Sequence, residues 1–182
     1  MMQILAISGS LRAVSSNTTI LKALAALADN DAHFTFYEGL ASLPHFNPDI
    51  EKEGIPGTVV DFRRQLQAAD GIVICTPEYA FGVPGVLKNA LDWIVSSGEF
   101  DKKPVATISV SPLATGGETA HASLLRTLQV MGAAIAEKAS LSIPLVSKRI
   151  NEKGELTDDT TRQELIVLFN ALKETIAHTT QS

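Results

Sequence analysis

The run Gly71-Ile72-Val73-Ile74-Cys75 places apolar side chains on both faces of any strand it forms. Only a strand covered by helices above and below buries both faces, so the run predicts the centre of a parallel sheet. A second apolar run, Met2 to Ser8 (MQILAIS), stops at Gly9 and predicts the first strand. His33 to Glu38 (HFTFYE) is rich in aromatic and β-branched residues and predicts the next one. Further strands are expected at Val105 to Val110 (VATISV) and near Ala133 to Ala139. Between them apolar residues recur at helical spacing: Ile20, Leu21, Leu24 and Leu27, then Val59, Phe62, Leu66 and Ala69. These predict helices over 19–28 and 58–69, with others over 86–95, 119–131 and 160–177. Leu43 to Gly57, with Pro44, Pro48 and Pro56, reads as a long loop, and Asn151 to Gly154 as a polar hairpin-like stretch.

Strands alternating with helices predict an α/β fold built on an open, doubly wound parallel sheet. Short right-handed crossovers favour the flavodoxin-like strand order 2-1-3-4-5. In that order the first and third strands are neighbours where the winding reverses, and ligands bind beyond the carboxyl ends of such strands. The loops after the first, third and fourth strands are therefore where a site is expected.

The chain has 182 residues, the size of one domain spanning 1–182. Its 20 acidic against 15 basic residues give a net charge of −5 with no basic cluster, which argues against nucleic-acid partners. Cys75 is the only cysteine, so no disulfide can form within the chain, and a reducing cytoplasmic location is expected. Within its apolar run Cys75 reads as a buried, inert thiol. No apolar run approaches the roughly 20 residues of a membrane-spanning helix, and the N-terminus lacks a signal-peptide pattern. A soluble protein without a membrane partner is expected.

The loop after the first strand, Gly9-Ser10-Leu11-Arg12-Ala13-Val14-Ser15-Ser16-Asn17-Thr18, is rich in hydroxyls and leads into a helix. A helix N-terminus offers open N–H groups and the positive end of its dipole, and Arg12 adds a forked cationic donor. A phosphate fits there. GxGxxG and GxxxxGK[ST] are both absent, so the loop suits a terminal monophosphate, as in FMN, better than a pyrophosphate. The competing reading is an ordinary cap, with Ser16 or Asn17 closing the helix and Arg12 in solvent.

The loop after the third strand begins Thr76-Pro77-Glu78-Tyr79-Ala80-Phe81-Gly82-Val83-Pro84-Gly85. Tyr79 and Phe81 offer flat surfaces, and a rigid Pro/Gly backbone offers main-chain partners for the polar edge of a heterocycle. The competing reading places both aromatics in the core. Glu78 reads as a solvated or backbone-organising carboxylate, and Lys88 as a surface charge. Asp92 and Trp93 read as anchors of the helix or of a subunit interface. The four histidines, His33, His45, His121 and His178, are dispersed without metal-ligand spacing.

Together GSLRAVSSN (9–17) and TPEYAFGVPGVLKNALDW (76–93) resemble the NAD(P)H-dependent FMN reductase family, which includes quinone, azo-dye and chromate reductases. The resemblance extends over nearly the whole chain, including Ser111 and Gly116-Gly117. It implies that Ser10, Arg12, Ser15 or Ser16, and Asn17 hold the FMN phosphate. It also implies that Pro77, Glu78 and Tyr79 line the isoalloxazine, while Ser111 approaches from the other side. The implied activity passes electrons from NADPH or NADH through FMN to a small acceptor: free flavin, quinone, azo compound or metal oxyanion. No metal and no catalytic side chain are required, because the cofactor carries the chemistry. A flavodoxin-type electron carrier is the alternative, although such carriers are usually more acidic. Relatives assemble as homodimers or homotetramers. This chain departs from many of them at Ala80, where asparagine is frequent, and at Gly82, where serine is.

Overall fold

The computed structural model describes residues 1–28, 30 and 32–179. Its strands are β1 (Met2–Ser8), β2 (Ala32–Tyr37), β3 (Gly71–Pro77), β4 (Val105–Val110) and β5 (Ser140–Ile143). Its helices are α1 (Ser16–Leu27), α2 (Pro48–Glu53), α3 (Gly57–Ala68), α4 (Gly85–Asp92), α5 (Glu118–Val130) and α6 (Asp159–Thr179). All strand pairs are parallel, in the order β2-β1-β3-β4-β5. The expected doubly wound, flavodoxin-like sheet is thus the one that forms.

The period of two along the strands divides the core into two layers. Ile4, Ala6, Val73, Cys75, Ala106 and Ile108 face one side and pack with residues of α1 and α6. Leu5, Ile7, Ile72, Ile74 and Val105 face the other, against α3, α4 and α5. Every residue of β3 is buried, as the two-sided apolar run requires. Each large apolar side chain sealed in these layers contributes about 1.5–3 kcal/mol.

Two expectations need correction. The last strand lies at Ser140–Ile143, not within 133–139. Three of the four residues from Ala133 to Ala136 are alanines, and that segment makes only the isolated bridge Pro104–Ala134 before a 3₁₀ turn at Glu137–Ala139. Ser140 to Ile143 instead alternate: Ser140 and Ser142 hydrogen-bond to a residue of α5, while Leu141 and Ile143 join the layer packed with α6. The second correction is α2, inside the supposed long loop. Asn47 caps it by accepting from the Asp49 N–H at 2.9 Å, and Pro48 occupies the first turn. Proline there costs nothing, because the N–H it lacks would have had no partner in the helix.

The hairpin-like stretch is present, with Ile150 bridging Leu156 and Asn151 N–H donating to the Glu155 carbonyl at 2.9 Å. Trp93 is fully buried and anchors the end of α4.

Candidate functional site

The two motif-bearing loops meet at the carboxyl ends of β1 and β3. Ser8 and Cys75 are register partners, and the Gly9 N–H donates to the Cys75 carbonyl at 2.8 Å. A Cβ on Gly9 would lie 3.0 Å from Leu87 Cδ2 and 3.3 Å from Pro77 Cδ. Glycine is therefore what lets the loop after β1 lie directly against the loop after β3.

At the start of α1 the cap is open. Ser15 is the N-cap residue, but its side chain makes no capping hydrogen bond. Thr19 N–H is the first to find an acceptor, Ser15 O at 3.0 Å, so the N–H groups of Ser16, Asn17 and Thr18 have none among the described residues. The ordinary-cap reading of Ser16 or Asn17 is not what forms. Ser10 is buried, and its hydroxyl accepts from Arg12 N–H at 3.3 Å, which folds the loop back on itself. Arg12 is exposed, and its guanidinium pairs with no described residue. Asn17 turns inward: its amide donates to Ser15 Oγ at 3.4 Å and accepts from Cys75 Sγ at 3.3 Å. Its side chain thus braces the loop from beneath. Burial pushes the Cys75 thiol well above its ordinary pKa, as expected for an inert core cysteine. A cleft of about 540 Å³ borders the same loop on its β2 side, lined by Ser8, Ser10, Arg12, Thr18, Lys22 and Phe36.

Beyond β3 the chain forms a tight two-residue turn. Tyr79 N–H donates to Gly82 O and Gly82 N–H to Tyr79 O, both at 3.0 Å. The intervening Ala80 and Phe81 have φ of 49° and 60°, the left-handed region that favours glycine and asparagine. Tyr79 and Phe81 are 51% and 77% exposed, so neither plugs the core; both present their rings at the surface. Ala80 carries steric strain that asparagine would relieve. Ala80→Asn is expected to stabilise the protein by about 1 kcal/mol, a rise of about 2–4 °C in melting temperature. An unchanged or lower melting temperature in a calorimetric scan would contradict that turn geometry.

Glu78 has a structural task. Its Oε2 accepts from the Ala120 N–H at 2.9 Å, satisfying an open donor of α5 and complementing the positive end of its dipole. Lys88 pairs with Asp92 at 2.5 Å one helical turn away, a surface ion pair. Ser111, at the end of β4, is buried and tied on three sides. Its hydroxyl accepts from Leu113 N–H, its N–H donates to Ile143 O, and its carbonyl accepts from Val146 N–H, each at 3.1 Å. Gly117 brings the loops after β3 and β4 together, since a Cβ there would lie 3.4 Å from Glu78 Cβ and 3.7 Å from Ser111 Cβ.

His121 of α5, dispersed in sequence, sits behind this loop. Its Nε2 faces Thr107 Oγ1 at 2.9 Å and Ser140 Oγ at 3.2 Å, and its Nδ1 faces Ser142 Oγ at 2.9 Å. Thr107 of β4 and Ser140 and Ser142 of β5 create this nest from positions far apart in sequence, so no local motif announces it. Burial lowers the His121 pKa below its ordinary 6.5. The unfolded chain takes up that proton near pH 6.5 while the folded protein resists it. The stability His121 contributes is therefore complete above about pH 6.5 and declines below it. Urea midpoints are expected to fall between about pH 6.5 and 5, and to fall less in His121→Gln; equal slopes would refute the assignment.

Comparison with known proteins agrees with this geometry. Residues 2–147 match the family model for NADPH-dependent FMN reductase. The chain is 32% identical over 173 residues to an NAD(P)H-dependent FMN reductase of Pseudomonas aeruginosa, covering 94% of this chain and 93% of that protein. It is 30% identical over 179 residues to a quinone reductase of Escherichia coli, covering 96% and 95%. Among solved structures, a flavoenzyme NAD(P)H:(acceptor) oxidoreductase from Paracoccus denitrificans superposes with a TM-score of 0.87 at 27% identity, covering 98% of this chain and 99% of that one. With the fold, the paired loops and these relatives in agreement, the chain belongs to the NADPH-dependent FMN reductase family.

Proposed function

We propose that this chain is an oxidoreductase that holds FMN across the junction of its two loops and reduces a small acceptor with NADPH or NADH. The observation that carries the reading is the contact at Gly9. It sets the loop that opens into α1 against the loop that carries the exposed aromatic turn, an arrangement that supports one molecule, with a phosphate at one end and a flat ring at the other, lying along both.

The residues present fit that molecule. The free N–H groups of Ser16, Asn17 and Thr18, with the Ser10 and Ser15 hydroxyls and Arg12, form the donor set for a dianionic phosphate. Asn17 contributes through its main chain. Pro77, Glu78 and Tyr79 border the ring on one side, and Ser111 on the other. Glu78 does so through its backbone, its carboxylate being engaged at α5. The redox chemistry, two-electron exchange between nicotinamide and acceptor, is what FMN supplies when bound. The protein's part is to orient the rings, exclude water and place N–H donors where negative charge accumulates.

Similarity to quinone reductases, and to a 2-hydroxy-1,4-benzoquinone reductase 33% identical over 167 residues, supports a quinone-type acceptor and an enzyme over an electron carrier. The exposed Leu11, Val14, Phe81 and Leu113 on the site's loops support assembly of the domain as a homodimer or homotetramer. The lone buried thiol supports a cytoplasmic setting, and no helix among the described residues is long and apolar enough to cross a membrane.

The test is direct. Protein purified and reconstituted with FMN is expected to be yellow, and anaerobic NADPH or NADH to bleach it, with benzoquinone restoring the colour. Flavin that stays oxidised with both nucleotides, or protein that takes up none, would remove the reading.

A further inference from the structure

We propose that Ser109 is a positioning residue that turns the Gly117 N–H outward, toward the ring side of the site, where it favours the reduced flavin; this rests on the FMN reading above. Ser109 lies on β4, fully buried, and its hydroxyl donates to the Gly116 carbonyl at 2.8 Å. The chain has no cis peptide among the described residues. In a trans peptide the carbonyl and the following N–H point in opposite directions. Pinning the Gly116 oxygen inward onto β4 therefore aims the Gly117 N–H away from the sheet. Gly117 is the residue wedged between Glu78 and Ser111, and no described residue accepts from its N–H. Its φ of 76°, following 65° at Gly116, is a left-handed backbone that glycine holds without strain.

The direction of the Ser109 proton follows from counting. A hydroxyl has one proton and a carbonyl only accepts, so Ser109 gives its proton to Gly116. In its 3.0 Å contact with Ser142, Ser142 then donates. In the 2.9 Å contact between Ser142 and His121 Nδ1, the imidazole donates, leaving Nε2 to accept from Thr107. A neutral imidazole has one donor and one acceptor nitrogen, as this arrangement requires. Ser142 lies on the edge strand and also meets solvent, so the buried Ser109 bears the main role. Each bond in the series polarises the next and strengthens the final amide as a donor.

Reduction adds negative charge to the flavin, and a preoriented N–H stabilises that state more than the oxidised one. A distortion of the loop alone would weaken both states alike. The distinguishing quantity is therefore the ratio of the two affinities. Oxidised affinity comes from fluorescence quenching on titrating apoprotein with FMN. The midpoint potential of bound against free FMN then gives the reduced affinity.

Ser109→Ala is expected to lose about three- to tenfold in affinity for reduced FMN relative to oxidised FMN, read as a more negative potential. Ser109→Thr, which keeps the hydroxyl, retains the wild-type ratio. So does Ser140→Ala, since the Ser140 hydroxyl meets Thr107 and the Nε2 side of His121 but not Ser109 or Ser142. Should the alanine variant fail to fold, Ser109→Cys, similar in shape but a weak donor, shows the same loss in smaller degree. An unchanged ratio in the variant that folds, or equal weakening of both redox states, overturns the role of Ser109 and leaves the FMN reading standing. A wild-type protein that binds no FMN overturns both.

Discussion

Replacing Trp93 with alanine is expected to lower the unfolding free energy by about 3–5 kcal/mol. Its side chain is fully buried, and three separate links converge on the residue. The indole N–H donates to the Pro44 carbonyl at 2.7 Å. The ring meets Phe46 edge-on, with centroids 5.1 Å apart. The Trp93 carbonyl accepts from Arg63 at 2.5 Å, and Arg63 in turn pairs with Glu51 at 2.8 Å. Asn89, one turn earlier on α4, grips the same loop, donating to Pro44 O at 3.0 Å and accepting from Phe46 N–H at 2.7 Å. Removing the indole opens a large cavity and leaves Pro44 with one donor fewer. Trp93→Phe keeps most of the volume and is expected to cost about 1–2 kcal/mol. Urea unfolding followed by far-ultraviolet circular dichroism decides the matter, and a wild-type midpoint for Trp93→Ala would refute the packing described.

The second large effect concerns the cofactor. Arg12→Ala is expected to weaken FMN binding by about 1.5–3 kcal/mol, roughly ten- to 150-fold. Arg12 is exposed and has no ion pair in the described protein, so its loss leaves the fold untouched while removing a charged donor from the proposed phosphate site. Arg12→Lys, which keeps the charge but not the fork, is expected to fall between the two. Riboflavin, lacking the phosphate, provides the internal control: its affinity should be the same for wild type and Arg12→Ala. An FMN affinity unaffected by the substitution would return Arg12 to the role of a solvated charge.

The sheet and its order were legible because burial on both faces leaves so plain a pattern: Ile72 to Cys75 admit few placements other than the middle of a parallel sheet. The fifth strand was not legible. Its apolar content is two residues, Leu141 and Ile143, and its partner β4 lies thirty residues upstream, so the alanine-rich stretch before it looked equally suitable. α2 was hidden by Pro48 and the prolines on either side of it, since proline punctuates a chain whether it opens a helix or ends one. At the site, residue types pointed to the two loops, but not to what each side chain does. The resemblance set Asn17 and Glu78 at the ligand, yet both spend their side chains on protein, Asn17 beneath its own loop and Glu78 on a backbone N–H of a neighbouring helix, in keeping with its backbone-organising reading. His121 and Ser109 were invisible because their partners come from β4, β5 and α5, whose pairing is a property of the fold alone.

The sealed position of Cys75 bears on chemical durability. Quinones, the acceptor class proposed above, are electrophiles that add to accessible thiolates. Here the lone thiol is wholly enclosed, held in its protonated form by its surroundings and occupied with an amide oxygen of Asn17. Arylation or oxidation of this thiol would require the loop above it to open, so the folded protein shields it from such electrophiles.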